Sequence, residues 1–106
     1  MDQHEYVGRL LAAYRATPGT CGIARRADRL LAEQLYQRGL PLTTLENAFA
    51  LAAVRRLARP DDAAPLPVVR SLAYFLPVIE EILSTNIDPG YFQHVRNKLQ
   101  RLTTAP

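Results

Sequence analysis

The chain has no tryptophan, one cysteine, one methionine and one lysine among its 106 residues. A single cysteine, Cys21, cannot form an intrachain disulfide, and no cysteine cluster exists to hold zinc. The longest apolar runs fall well short of a membrane span. The opening, MDQHEYVGRL, places acidic residues where a secretory leader needs an apolar stretch, so none is expected there. Linkers rich in glycine or serine are missing, as are internal repeats. No segment alternates with period two, which argues against a sheet.

What is present suits one small domain spanning residues 1–106. Apolar residues make up 48%, enough for one modest core. The net charge is +3, and twelve of the thirteen basic residues are arginine. Arginine offers a planar fork of donors that pairs with phosphate and stacks on bases. The expected location is cytoplasmic, with no membrane partner.

Helical punctuation recurs along the chain. Asp2 and Glu5 have capping-box spacing. Val7, Leu10, Leu11 and Tyr14 then share one face of a helix over residues 3–16, and the turn TPGT ends it. A second helix is expected over residues 22–37, with Ile23, Ala27, Leu30, Leu31 and Leu35 inward and Gly39 as its left-handed stop. A third begins at Thr43, with Glu46 as capping partner, and turns Leu45, Ala48, Phe49, Ala52 and Leu57 inward. Pro60, Pro65 and Pro67 keep residues 58–69 out of regular helix. The fourth helix, RSLAYFLPVIEEILSTN, is expected to kink or divide at Pro77. The fifth starts at Asp88-Pro89, faces inward with Phe92, Val95, Leu99 and Leu102, and leaves residues 103–106 as a frayed tail. The fold class read from this is all-α, a compact single-domain bundle of about five helices.

A catalytic site needs convergent acids, bases, nucleophiles or metal ligands. The carboxylates here are scattered over helix starts, the proline loop and exposed faces. His4 and His94 lie far apart in polar settings, and Cys21 has no base near it in sequence. No enzyme activity, cofactor or metal is expected.

The positive signals concern charge. The second and third helices flank a short glycine-containing turn, which fits either a helix-turn-helix unit or a plain antiparallel hairpin. In the first case Thr43, Thr44, Glu46 and Asn47 would face a DNA groove. Arg25, Arg26 and Arg29 open the second helix, and Arg55, Arg56 and Arg59 close the third. A hairpin would bring these six together, as anion binding requires and solubility does not. A solvated or self-paired end is the competing reading. In the last helix, Arg96, Lys98 and Arg101 lie off the apolar stripe, and no acidic residue follows Asp88. Such a face can track a phosphate backbone or simply be solvated beside the helix C-terminal dipole. Nucleic acid is therefore the expected partner, with DNA ahead of RNA, and the nine basic residues just named are its candidate contacts. Reversing Arg55 and Arg56 to glutamate is expected to weaken binding without unfolding the domain. The alternative is a helical protein-interaction module or homo-oligomer, motivated by a fourth helix with Leu72, Tyr74, Phe75, Leu76, Val78, Ile79, Ile82 and Leu83 around its circumference.

Residues 40–83, LPLTTLENAFALAAVRR followed by RSLAYFLPVIEEIL, resemble the DnaD-type domain of bacterial and phage replication-initiation proteins. Tyr74, Val78 and Ile79 stand where that family carries Tyr-x-x-x-Ile-Leu, and Pro77 interrupts the matching helix. The resemblance implies a helical DNA-binding domain that contacts a helicase or loader, with the region after the motif contributing to DNA binding.

Overall fold

The structure is a computed structural model that describes residues 1–104. Its elements are α1 Gln3–Ala16, α2 Arg26–Gln37, α3 Leu42–Leu57, a 3-10 turn Leu72–Phe75, α4 Leu76–Ser84 and α5 Pro89–Thr104. The all-α bundle expected from the sequence is the observed fold. Among the described residues the only β pairing is one isolated parallel bridge, Thr20 to Val69.

Local chemistry explains most boundaries. The Asp2 carboxylate accepts the Glu5 main-chain N–H at 2.8 Å, supplying one of the acceptors that the first turn of α1 lacks. Gly39 ends α2 with φ +77°, and the Gly39 and Leu40 N–H groups return to the Tyr36 and Leu35 carbonyls. Asp88 accepts from Gly90 N–H at 2.9 Å at the start of α5, beside Pro89. Pro77 divides the fourth helical segment as expected. The 3-10 turn precedes it, and the proline falls in the first turn of α4, where its missing N–H costs nothing.

Five expectations are corrected. α2 starts at Arg26, not at Gly22, because the segment before it is drawn out to meet the proline loop: Cys21 N–H bonds the Val69 carbonyl at 2.9 Å. Its buried face consequently turns to Asp28, Ala32 and Leu35, leaving Ile23 and Leu30 exposed. α3 begins at Leu42 after Pro41 with no side-chain cap, so Thr43 and Glu46 form no capping box. Leu57 and Leu102, expected inward, are exposed. Thr103 and Thr104 continue α5 instead of fraying, and Ala105 and Pro106 lie outside the described residues.

The centre of the molecule is α3. Every residue from Ala48 to Val54 is buried. Five of these seven are alanine or valine, small enough for several neighbours to approach together. α1, α4, α5 and the 3-10 turn all pack on α3, and α2 packs outside on α1 and the 3-10 turn. The ring contacts Phe49–Phe75 (4.9 Å between centroids), Tyr14–Phe75 (6.0 Å) and Tyr14–Phe49 (6.4 Å) tie α1, α3 and the 3-10 turn into one core. Such pairs are worth about 0.5–1.5 kcal/mol each beyond their buried area. A second apolar cluster, Ala50, Leu51 and Val54 with Val95, holds α5.

Candidate nucleic-acid interface

The layer order explains where the basic residues end up. α2 and α3 do not pack along one another, because α1 and the 3-10 turn occupy the space between them. Side-by-side packing of an antiparallel α2–α3 hairpin is therefore not what this fold contains. Thr43, Glu46 and Asn47 line an open groove of about 470 Å³ together with Phe92 and Arg96 of α5. The Asn47 side-chain oxygen already accepts from Arg96 Nη1 at 2.9 Å.

Three of the six arginines nevertheless converge, by a route the sequence does not announce. The chain leaves α3 and returns as an irregular strap over residues 60–71. Arg59 Nη1 donates to the Ala64 carbonyl at 2.8 Å. Arg56 Nη2 donates to the Pro67 carbonyl at 2.8 Å. Arg25 Nη1 donates to the Arg70 carbonyl at 3.2 Å. The three acceptors are spaced by three residues, the repeat of an extended polyproline helix, which Pro65 and Pro67 favour. Three residues of extended chain reach at most about 11 Å, which bounds the spacing of neighbouring acceptor carbonyls. The result is a ladder: Arg59 and Arg56 descend from the end of α3, and Arg25 closes it at the start of α2.

Each ladder arginine is held by a neutral carbonyl, so its charge is not cancelled. Among the described residues the ion pairs are Arg9–Glu5, Arg38–Glu80 and Arg55–Glu81, and none involves the ladder. Arg56 is also fixed by the Tyr74 hydroxyl, 3.2 Å from Nη1, and lies over the Tyr74 ring at 5.7 Å. Tyr74 is 44% exposed, at the margin of the core.

Arg55 differs from its neighbours. Its two terminal nitrogens meet the two Glu81 oxygens at 2.9 and 2.6 Å. This hydrogen-bonded pair holds the Glu81 carboxyl below its ordinary pKa and raises that of Arg55. Arg55 is therefore committed to joining α3 to α4. Arg26 and Arg29 sit on the outer face of α2, exposed, with no carboxylate in ion-pair range among the described residues.

The basic residues of α5 separate. Arg96 turns toward α3, bonded to Asn47 and to Gln93. Lys98 and Arg101 fall three apart on the opposite side, in line with His94 four residues before Lys98. Because α2 and α5 occupy opposite flanks of the α2–α1–α3–α5 order, Arg26/Arg29 and Lys98/Arg101 form two patches, not one.

Among the described residues no group of three or more histidine, cysteine, aspartate or glutamate side chains could hold a metal ion. No described helix is long and apolar enough to cross a membrane. Comparison with protein-family models, curated proteins and solved structures gives no match to this chain.

Proposed function

We propose that this protein is a non-enzymatic, intracellular nucleic-acid-binding accessory protein, with DNA its preferred partner, acting in replication or on a mobile element. The reading rests on the ladder of Arg59, Arg56 and Arg25. Its guanidiniums are immobilised by carbonyls, carry uncancelled charge and use only some of their donors. Pre-positioned guanidiniums of this kind suit the repeated anionic groups of a phosphate backbone and lose little freedom on meeting them. Arg26 and Arg29 extend the row past the start of α2, and Lys98 and Arg101 offer a second contact on the far flank. Contact with a replicative helicase or its loader, implied by the DnaD-like resemblance of residues 40–83, belongs to the same proposal.

The experiment is fluorescence anisotropy with labelled single-stranded and duplex oligonucleotides at several salt concentrations. Binding should weaken steeply with salt. Arg26→Glu with Arg29→Glu is the informative pair, because neither side chain holds the fold. Arg55 and Arg56 are unsuitable for this purpose: reversing them breaks the Glu81 pair and the strap contact. Unchanged affinity in the folded Arg26/Arg29 double variant, together with the same result for Lys98→Glu/Arg101→Glu, removes both patches from the proposal.

A second reading, a protein-interaction module, is favoured by one observation. Leu57, Leu66, Val68 and Tyr74 are exposed on and around the strap. Sedimentation over a range of concentrations tests its self-association form.

A further inference from the structure

The strap does more than hold the arginines. Two clefts open beside it. The first, about 380 Å³, is bounded by Ala52, Tyr74, Pro77 and Val78, with Leu66 and Arg56 completing its lining. The second, about 270 Å³, is bounded by Gly19, Arg59, Pro60 and Asp61, and again by Leu66 and Arg56. Because Leu66 and Arg56 line both, the clefts are neighbours and these two side chains form their common boundary. Leu66 is a large apolar residue left exposed at that boundary.

The linings suit flat rings that carry negative charge on their outer side. The larger cleft has an apolar floor and no carboxylate among its lining residues. One wall is the Tyr74 ring, which is fixed from two directions. Phe75 meets it edge-on at 5.2 Å between centroids, and the Arg56 guanidinium lies 5.7 Å from its centroid. A wall already immobilised loses little freedom when another ring packs on it. The smaller cleft has Asp61 as its one carboxylate, an acceptor suited to the amino edge of a base. Arg56 gives one donor to the Pro67 carbonyl and one to the Tyr74 hydroxyl, which leaves the rest of its donors for a phosphate. Small-ligand sites run from about 300 to 1,000 Å³. Clefts at the lower end of that range suit single heterocycles and not a helix.

We propose, resting on the nucleic-acid reading of the arginine ladder, that the two clefts receive two successive bases of a single strand. Leu66 is wedged between the bases, and the phosphate that links them lies over Arg56. The site thereby selects unpaired strands. Bases of a duplex are stacked and paired, and would have to be turned out of the helix to enter. A basic track beside aromatic and apolar platforms is the general solution for holding single strands.

The test is fluorescence anisotropy on the whole chain with three labelled probes, at low and at higher salt. The probes are a single strand of mixed sequence, an abasic strand with the same number of phosphates, and the duplex of the first strand with its complement. The intact strand should bind about tenfold tighter than the abasic strand, the factor expected for one stacked base. Their salt slopes should agree, since their phosphate contacts are the same. The duplex should bind more weakly than the intact strand. Leu66→Ala, which removes an exposed side chain, should cost about three- to fivefold on the intact strand and nothing on the abasic strand or the duplex. Equal affinity for intact and abasic strands, or a duplex that binds more tightly than the intact strand, overturns the base site and leaves the phosphate contacts of the ladder standing. A Leu66→Ala effect of the same size on all three probes assigns Leu66 to holding the strap and overturns its place between bases. No binding to any probe at low salt overturns the nucleic-acid reading itself, and the base site with it.

Discussion

Asp28 Oδ1 accepts the Leu72 main-chain N–H at 2.9 Å, forty-four residues away in sequence. The other oxygen accepts Arg25 N–H at 2.8 Å. One carboxylate, 3% exposed, thus caps α2 and anchors the 3-10 turn that carries Phe75 into the core. Asp28→Ala strands two inward-facing donors, and unfolding by denaturant should show a loss of about 2–4 kcal/mol. Asp28→Asn keeps one acceptor and should lose less.

Phe75 and Tyr74 are neighbours with opposite fates. Phe75 is buried against Tyr14 and Phe49, whereas Tyr74 lies at the surface. Phe75→Ala should cost about 3–5 kcal/mol. Tyr74→Ala should cost far less, and should loosen Arg56 and the strap, seen as faster amide exchange over residues 64–70.

Gly19 sits at φ +95°, and a Cβ there would come to 3.0 Å from Arg56 Nε. Gly19→Ala should therefore destabilise by about 1 kcal/mol or more from backbone strain alone. It should also displace the Arg56 guanidinium, so that crystallography of the variant shows the Pro67 contact lengthened.

Stability should depend on pH at both ends. The folded-state pKa of Glu81 is depressed by Arg55, so its contribution is present above the ordinary glutamate value of about 4.3 and fades as pH falls through the lower folded value. Glu81→Gln should flatten the acid limb of a melting-temperature profile. The Tyr14 pKa is raised to about 12, so the favoured protonated state contributes fully below about pH 10 and is lost as pH climbs toward 12. Tyr14→Phe should flatten the alkaline limb, with tyrosinate absorbance reporting the late titration.

Thr43 tests a cap that looks right in sequence and is not formed. Thr43→Ala should change stability by no more than about 0.5 kcal/mol, whereas Asp2→Ala should cost about 0.5–2 kcal/mol, both read from thermal unfolding.

The sequence by itself determined the helical class, the span of α1, the stops at Gly39 and Pro77, and the start of α5. These depend on residues within a turn or two of each other: a carboxylate three positions from an N–H, a glycine able to take positive φ, a proline without a donor. It also marked the arginines as an unusual concentration. Only the tertiary structure decided what they touch. Asp28 draws residues 25–28 toward Leu72, and the Val69 carbonyl draws Cys21 out of any helix, so α2 begins late and buries a face that its own periodicity hides. Period-three carbonyls on the strap sort Arg25, Arg56 and Arg59 into a ladder, while Glu81 takes Arg55 and Asn47 takes Arg96. Every one of those choices joins residues more than one helical turn apart along the chain. Hydrophobic period and capping grammar act over a few residues and carry no record of such partners.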